Sequence, residues 1–269
     1  MGLIAVDLDG RLLRSDRTIS PRTIAALSTA REIGWHVVPV TARPPRFFQS
    51  LASRHEIFDF AICCNGALIY DIVAGKVLEH AALDPAEALA IATQLRARLP
   101  GVCFAVEMGL RYGWDAAYAA MPGALLDPDG TPAEIDLLLR EPVTKLIVRH
   151  PELAFERLLD AALGLGLSGC EITHSTTEFL EISRRGVDKA ATLSQTVARL
   201  GLSSADVIAF GDMPNDLPML RWAGHSVAVA NAHPEVLAAA DAVTASNDED
   251  GVAVMLEQLL GASQRLPAP

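Results

Sequence analysis

Two clusters of carboxylates, far apart in the sequence, each follow a short apolar run. Asp7 and Asp9 lie in DLDG after the run LIAV, and Asp212 and Asp216 lie in GDMPND after the run VIAF. Carboxylate oxygens are the ligands that Mg²⁺ prefers in proteins, and a carboxylate can also act as the nucleophile in a displacement at phosphorus. If the fold brings the two clusters together, these residue types predict metal-assisted cleavage of a phosphate ester.

Cleavage of a phosphate ester needs a nucleophile, a proton donor for the departing alkoxide and neutralisation of the phosphoryl charge. Asp7 can be the nucleophile, and Asp9 can be the general acid provided that its pKa is raised enough to hold a proton. A metal shared by Asp7 and Asp212 also keeps the two like charges from raising each other's pKa. Each cluster alone has an ordinary structural explanation, as a solvated turn or as the first-turn acids of a helix.

Cations and hydroxyls at three other places can serve the same chemistry. Lys189, early in a predicted helix, can bridge the nucleophile and a phosphoryl oxygen, although a single lysine is ordinarily solvated. Thr41, Ala42 and Arg43 offer a hydroxyl, backbone N–H groups and a cation at a strand end, where an ordinary turn is the simpler explanation. Asn65 is weaker still, because Asn-Gly is typical of a turn.

The elements that must position these residues alternate between strands and helices. Ser20 followed by Pro21 predicts a helix that begins there and stops at Gly34, and residues 187–200 and 251–260 also predict amphipathic helices. The predicted strands are nearly continuous in apolar residues, as expected for parallel strands buried on both faces, and they span residues 3–10, 35–43, 59–67, 206–212 and 225–232. This alternation predicts an α/β fold with a doubly wound, Rossmann-like parallel sheet.

The candidate site residues fall where such a sheet binds its ligands, beyond the carboxyl ends of the strands. Asp7, Thr41, Asn65 and Asp212 each lie at the end of a different predicted strand. This coincidence favours one shared site over four unrelated turns.

The middle of the chain, residues 83–183, predicts a separate α/β unit inserted between the two halves of the sheet. Asp84 and Thr131 are each followed by proline and, three positions on, by glutamate, which predicts a capped helix start at both places. Such an insertion is typical of a lid, and its candidates to face a site are Glu107, Arg111, Trp114, His174 and Glu178. Each of these also has a structural explanation, as core or as solvated surface.

The overall composition argues against several classes of protein. The net charge of −11 disfavours a nucleic-acid or anionic-membrane binder, which needs a basic face. The N-terminal residues contain no stretch typical of a signal peptide, and no apolar run is long enough to span a membrane. Four cysteines without metal-type spacing predict buried, reduced thiols. A cytoplasmic protein without nucleic-acid or membrane partners is therefore expected.

The motifs occur in the order DxDG, TxR, K and GDxxND, and in this order they resemble those of the haloacid dehalogenase superfamily of phosphohydrolases. The resemblance is greatest to the Cof-type subfamily, which carries a large α/β cap between the third core strand and the lysine motif. It extends over essentially the whole chain, through the stretches RTISPRT (17–23), CNGALIY (64–70), EISRRGVDKAATL (181–193), GDMPNDLPML (211–220) and NDEDGVAVML (247–256).

The resemblance implies a Mg²⁺-dependent phosphatase with a catalytic core at residues 1–82 and 184–269 and a cap at residues 83–183. Asp7 would be the phosphorylated nucleophile and a metal ligand, and Asp9 would be the general acid and base, with its backbone carbonyl on the metal. Asp212 would be the third protein ligand. Asp216 would support either the water shell of the metal or the lysine.

The resemblance also implies how the substrate is held. The transferring phosphoryl group would contact Lys189, the side chains of Thr41 and Asn215, and backbone N–H groups near Leu8 and Ala42. The subfamily makes a sugar phosphate the default class of small phosphorylated metabolite, and Arg43 is the candidate to contact the rest of it because it lies on a loop of the site. A monomer is expected, since the cap already covers the site.

Two positions depart from the pattern of the family, and two other functions stay open. Arg11 stands where the family usually has Thr or Val, and its side chain can reach the phosphate or swing to solvent. Ala42 replaces a glycine and adds a methyl group where a backbone amide approaches phosphate. The alternatives are a phosphomutase of the same superfamily, which also needs Asp7 and Asp9, and a catalytically weak metabolite-binding protein, which only Arg11 favours.

Overall fold

The structure is a computed structural model that describes residues 2–50, 57–174 and 176–263. The chain divides into two compact units. The first unit comprises residues 1–43, 47–76 and 188–269, and the second comprises residues 44–46 and 77–187.

The helices and strands follow one another in a regular order. The first unit begins with β1 (Leu3–Val6), α1 (Pro21–Glu32), β2 (His36–Pro39), α2 (Phe47–Ser50), β3 (Ala61–Cys63) and β4 (Leu68–Asp71). β5 (Lys76–His80) leads into the second unit, which contains α3 (Pro85–Arg98), β6 (Cys103–Met108), β7 (Arg111–Trp114), α4 (Ala116–Ala119), β8 (Thr131–Pro132), α5 (Ile135–Leu138), β9 (Lys145–Arg149), α6 (Phe155–Leu163), β10 (Cys170–Thr173) and β11 (Leu180–Arg184). The chain then completes the first unit with α7 (Lys189–Arg199), β12 (Val207–Gly211), α8 (Leu217–Trp222), β13 (His225–Val229), α9 (Pro234–Ala239), β14 (Ala242–Thr244) and α10 (Gly251–Ser263).

The main sheet of the first unit has five parallel strands in the order β14-β13-β12-β1-β2. The four residues of β1, at the position between β12 and β2, are all fully buried. Continuous apolar strands are expected where helices cover both faces of a sheet. The predicted α/β fold with a parallel sheet is therefore confirmed. The strands end earlier than predicted, and β1 and β12 end directly before Asp7 and Asp212.

The helices of the first unit begin where side-chain caps predict. Ser20 Oγ accepts a hydrogen bond from the backbone N–H of Thr23 at 3.0 Å, and α1 starts at Pro21. The Asp188 carboxylate accepts one from the N–H of Ala191 at 2.8 Å and begins α7. These caps satisfy backbone donors that a helix leaves free at its N-terminus.

The second unit is built on a six-stranded sheet in the order β10-β11-β9-β6-β7-β8, antiparallel except for the pair β7–β8. α3 and α6 bury apolar residues such as Ile91 and Leu158 against side chains of the sheet that include Phe104 and Leu146. This unit therefore has a hydrophobic core of its own.

One of the two capped helix starts predicted in this unit is correct and the other is wrong. Asp84 accepts a hydrogen bond from the N–H of Ala86 at 2.8 Å, and α3 begins at Pro85 as predicted. The start at Thr131 is wrong, because Thr131–Pro132 forms β8 and pairs with β7, and the next helix begins only at Ile135. Pairing with an available strand edge outweighs the local capping signal.

Two predictions from the composition can be compared with the structure. The four cysteines are buried, and no disulfide bond joins them in the described part of the chain. Across the described residues, no helix combines the length and the apolar character that crossing a membrane requires.

Candidate active site

The two acidic loops meet at the carboxyl end of the parallel sheet. β1 and β12 are neighbours with Val6 opposite Phe210, so the residues that follow each strand are brought together. One carboxylate oxygen from each of Asp7, Asp212 and Asp216 lies within 4.8 Å of the other two. All three residues are buried. The parallel pairing of β1 and β12 thus assembles an acidic cluster from residues more than half the chain apart.

Gly10 allows the first acidic loop to approach the second. Its φ of +74° is in the left-handed region, and a Cβ atom at this position would lie 2.4 Å from Asp212 Oδ2. Asn231 Nδ2 donates a hydrogen bond to the Gly10 carbonyl at 2.9 Å, and Asn231 Oδ1 accepts one from the N–H of Asn247 at 3.0 Å. Sequence reasoning missed Asn231, for which the only signal is its place just beyond the end of β13.

Lys189 is buried beside the aspartates, so its interpretation as a solvated lysine is wrong. Its Nζ atom lies 3.1 Å from Asp7 Oδ1 and donates a hydrogen bond to Asp216 Oδ1 at 2.7 Å. Burial alone would lower the pKa of Lys189, but the carboxylates of Asp216 and Asp7 outweigh burial and raise it. Lys189 therefore stays charged next to the predicted nucleophile.

Arg11 is the second buried cation of the cluster, with only 3% of its surface exposed. Its guanidinium forms ion pairs with Asp7, Asp212 and Asp216, and its Nε atom donates a hydrogen bond to the backbone carbonyl of Asp9 at 3.0 Å. The expectation that this side chain can swing to solvent is wrong here, because three buried carboxylates hold it. The pKa of Arg11 is raised: burial acts against its charge, and the three aspartates outweigh burial.

The three buried carboxylates differ in how readily they ionise. Burial raises the pKa of Asp7, with Arg11 and Lys189 acting against that shift. Burial likewise raises the pKa of Asp212 to about 7. For Asp216, burial is outweighed by Arg11 and Lys189, which together lower its pKa to about 2. Asp216 is therefore the carboxylate most firmly held in its charged form, which suits a residue that positions the cations around it.

Asp9 lies at the solvent side of the same loop, with about half of its side chain exposed. Arg43 donates two hydrogen bonds to its carboxylate, from Nε at 2.6 Å and from Nη2 at 2.5 Å. The guanidinium of Arg43 also stacks on Phe47, with Cζ 4.0 Å from the ring centroid. Asp9 and Arg43 border a cavity of about 450 Å³ in the first unit. The general acid that the sequence predicts thus faces open space, whereas the predicted nucleophile is buried.

The predicted phosphate-binding residues lie at the ends of the neighbouring strands. Thr41 is fully buried just beyond β2, and its hydroxyl accepts a hydrogen bond from the N–H of Arg43 at 3.1 Å. Asn215 Nδ2 donates to Asn65 Oδ1 at 3.4 Å, which links the loops after β12 and β3. Leu8 is fully buried at the start of the helical turn Leu8–Leu12, and Ala42 is partly buried beside Thr41.

A glycine also sets the contact between the loop after β3 and the start of α7. Gly66 has a φ of +105°, and a Cβ atom there would lie 2.4 Å from the backbone oxygen of Asp188. Thr192 Oγ1 donates a hydrogen bond to the Gly66 carbonyl at 2.8 Å. The loop therefore packs directly on the turn that carries Lys189.

The five lid candidates have different environments within the second unit. Trp114 is buried with its ring centroid 5.5 Å from that of Tyr112, and it belongs to an apolar cluster. Glu107 is buried and pairs with Arg46. The remaining three are exposed, namely Arg111, which pairs with Glu141, and His174 and Glu178.

The acidic cluster has the chemistry of a site for a divalent cation. Its donors are the carboxylates of Asp7, Asp212 and Asp216, all of them hard oxygens. Asp7 Oδ1 and Asp212 Oδ1 are buried and make no hydrogen bond with any described residue, although each lies within ion-pair distance of a cation. Buried oxygens without a hydrogen bond are uncommon and are expected where a ligand completes the site. The residues present therefore fit Mg²⁺.

Comparison with known proteins identifies a family. Residues 4–256 match the haloacid dehalogenase-like hydrolases. The chain is 32% identical over 270 residues to pyridoxal phosphate phosphatase YbhA of Escherichia coli K12, an alignment that covers 93% of this chain and 96% of that protein. It is 29% identical over 258 residues to 5-amino-6-(5-phospho-D-ribitylamino)uracil phosphatase YcsE of Bacillus subtilis 168, covering 93% of this chain and 92% of that one.

A solved structure shows the same fold. A haloacid dehalogenase-like hydrolase from Bacteroides thetaiotaomicron superposes with a TM-score of 0.79 at 28% identity, covering 96% of this chain and 99% of the other. The match spans the parallel sheet and the inserted unit alike. Both the core and the insertion are therefore features that this chain shares with its relatives.

Proposed function

We propose that this chain, which belongs to the haloacid dehalogenase-like hydrolase family, hydrolyses small phosphate monoesters with Mg²⁺ through a phosphorylated Asp7. The family and the relatives named as phosphatases make the chain a phosphatase. The metal, the intermediate and the substrate class are the proposal. The observation that carries it is the meeting of Asp7, Asp212 and Asp216 within 4.8 Å, beside the buried amine of Lys189.

Asp7 is the proposed nucleophile. Its carboxylate attacks the phosphorus atom, forms an acyl phosphate and expels the alkoxide of the substrate. Burial works against the ionised form of Asp7, and Lys189, 3.1 Å from Asp7 Oδ1, favours it. Mg²⁺, when held by Asp7, Asp212, Asp216 and the Asp9 carbonyl, supplies further neutralisation of the charge on the transferring phosphoryl group.

Asp9 is the proposed proton carrier. It gives its proton to the departing alkoxide and later takes one from the water that hydrolyses the acyl phosphate, which restores both aspartates. Arg43 orients the Asp9 carboxylate through two hydrogen bonds. We assign the holding of the phosphoryl oxygens to backbone N–H groups near Leu8 and Ala42, together with the side chains of Thr41, Lys189 and Asn215.

The substrate class is inferred from the family and from the names of the relatives. The Escherichia coli relative is named for pyridoxal phosphate, and the Bacillus subtilis relative is named for a phosphorylated ribityl compound. Both are small phosphate monoesters with a polar body. We propose the same class here, with sugar phosphates included, and we assign substrate selection to the cap, predicted at residues 83–183.

A phosphate-release assay tests this function. Sugar phosphates, pyridoxal 5′-phosphate and a ribityl phosphate are each incubated with the protein and Mg²⁺. We expect release of inorganic phosphate without an activating bisphosphate, loss of turnover in excess chelator, and inhibition by beryllofluoride, which mimics a phosphorylated aspartate. Turnover that persists in chelator would remove the metal from the mechanism. A strict need for a sugar bisphosphate would favour the phosphomutase, and binding without turnover would favour the metabolite-binding protein.

A further inference from the structure

Arg11 contacts every group to which a metal has been assigned. Its guanidinium is ion-paired with the carboxylates of Asp7, Asp212 and Asp216, and its Nε atom donates to the carbonyl of Asp9 at 3.0 Å. No other cation among the described residues pairs with all three of these aspartates. The side chain of Arg11 therefore occupies the centre of the oxygen cluster.

The guanidinium and a divalent cation cannot use these oxygens together. Mg²⁺ requires its oxygen ligands at about 2.0–2.1 Å in nearly octahedral geometry. The planar guanidinium presents its N–H groups to the same oxygens. Any ion that these carboxylates coordinate must take the space that the guanidinium fills.

The charges of the cluster allow either cation. When all three are ionised, Asp7, Asp212 and Asp216 bring three negative charges into a buried site, and burial without compensation would be costly. Arg11 and Lys189 leave the cluster with one negative charge. A divalent cation in place of Arg11 would leave it neutral. The guanidinium thus stabilises the buried carboxylates in the absence of metal, and a divalent cation in its place neutralises their charge more completely.

We propose that Arg11 is an internal cation that competes with Mg²⁺ for Asp7, Asp212 and Asp216, so that metal binding requires its guanidinium to leave. This inference rests on the proposed function, because it concerns the same metal. Only molecules in which Arg11 is displaced can bind the ion. The apparent dissociation constant for Mg²⁺ is therefore the intrinsic constant divided by the fraction of such molecules. The Mg²⁺ concentration that this protein requires is therefore set partly by Arg11.

Substitution of Arg11 tests the competition directly. Mg²⁺ binding is measured by isothermal titration calorimetry on wild-type protein and on R11T, R11K and R14T. Arg14 is the matched control, because it lies on the same segment and carries the same charge but pairs with Asp250 outside the cluster. We expect R11T to bind Mg²⁺ at least about tenfold more tightly than wild type, R11K to be intermediate, and R14T to remain within about twofold.

A second measurement uses only the wild-type protein and does not depend on the folding of a variant. Phenylglyoxal modifies accessible guanidinium groups, and peptide mapping by mass spectrometry reports the modification of Arg11. Arg11 is buried in the ion-paired arrangement, so its modification is expected to be slow without metal and faster at saturating Mg²⁺. Arg31 and Arg96, both partly exposed, serve as internal references whose modification should not change.

The outcomes separate this inference from the proposed function. Equal Mg²⁺ affinity in wild type and R11T, or modification of Arg11 that is unchanged or slower with Mg²⁺, would overturn the competition and leave the phosphatase mechanism standing. Weaker binding in R11T would also overturn it, by making Arg11 a residue that supports the metal. Absence of Mg²⁺ binding in wild type and all variants would overturn the metal dependence of the proposed function and the competition with it.

Discussion

Buried charges occur in both units, and the two groups differ in how fully their carboxylate oxygens are hydrogen-bonded. In the first unit three buried carboxylates surround Arg11 and Lys189, and two of the carboxylate oxygens make no hydrogen bond with a described residue. In the second unit the buried carboxylates of Glu181 and Glu107 pair with Lys145 and Arg46, and the buried carboxylate of Asp115 accepts hydrogen bonds from the backbone N–H groups of Phe104 and Tyr118. Buried carboxylate oxygens without a hydrogen bond are uncommon, and they are expected where a ligand completes the site.

The two groups also differ in the structural elements on which they lie. Asp7 and Asp212 follow the ends of β1 and β12, on loops. Glu107, Lys145 and Glu181 lie within strands β6, β9 and β11. Side chains within a paired sheet are fixed by its register, whereas loop residues at strand ends can converge on a ligand. The arrangement of the first group is therefore typical of a binding site, whereas the Lys145–Glu181 pair joins two neighbouring strands of its sheet.

The largest expected effect comes from removing the proposed nucleophile. Asp7→Asn keeps the volume of the side chain but cannot form an acyl phosphate, so kcat should fall by about 10⁴-fold or more. The fold should persist, because Asp212 and Asp216 still pair with Arg11 and Asp216 still pairs with Lys189. Phosphate release and circular dichroism measure the two properties. Full activity in the variant would show that another residue attacks the phosphorus.

The second unit should respond in stability rather than in turnover. Lys145→Met removes the cation paired with buried Glu181, and the free energy of unfolding should fall by about 3 kcal/mol. Urea denaturation measures this loss, and Lys76→Met, a change at an exposed lysine, is the control. If Lys145→Met keeps its stability but loses as much turnover as Asp7→Asn, the proposed division between a functional group and a structural group of buried charges is wrong.

The stability of the folded protein should depend on pH because of Asp212, which belongs to the first group of buried charges. Burial raises the pKa of Asp212 from its ordinary value of 3.8 to about 7, so the folded state binds more protons than the unfolded state between these values. Without metal, this carboxyl should therefore lower the stability as pH rises from 4 to 7, by at most about 1.4 kcal/mol per pH unit. Urea midpoints in chelator measure the slope, which should diminish in Asp212→Asn. An unchanged slope in that variant would assign the pH dependence elsewhere.

The smallest effect is expected at the exposed rim of the site. Arg43→Ala removes two hydrogen bonds from Asp9, and both side chains are partly exposed, so kcat should fall by about two- to fivefold and stability should change by less than about 1 kcal/mol. Arg22→Ala is the matched control, because Arg22 makes an equivalent two-bond pair with exposed Glu257, which is not one of the proposed site residues. A similar loss of turnover in both variants would mean that Arg43 does not act through Asp9.

The sequence predicts those features that are decided locally. Ser20 and Asp84 cap their helices through bonds to residues two or three positions away, and apolar runs end where the strands end. The proximity of Asp7 and Asp212 also follows from local patterns. Both residues follow predicted parallel strands, and the carboxyl ends of parallel strands lie at the same edge of a sheet.

Features decided by distant partners are not predictable in this way. Arg11 looks like a departure from a motif, and its position depends on carboxylates that arrive some two hundred residues later along the chain. Thr131 carries a capping signal that strand pairing with β7 overrides. Lys189 looks solvated until Asp7 and Asp216 are placed around it. Each depends on a contact that only the tertiary structure supplies.

Gly66 has no side chain at a point where its backbone is in close contact with the start of α7. The first turn of α7 rests on it, since Asp188 O is already 2.4 Å from where a methyl carbon would stand. A methyl group there would have to push that turn outward, and the amine of Lys189 would be drawn back from the carboxylate it serves. The position of Lys189 relative to Asp7 is therefore set in part by Gly66, whose close contact is with Asp188 rather than with the lysine.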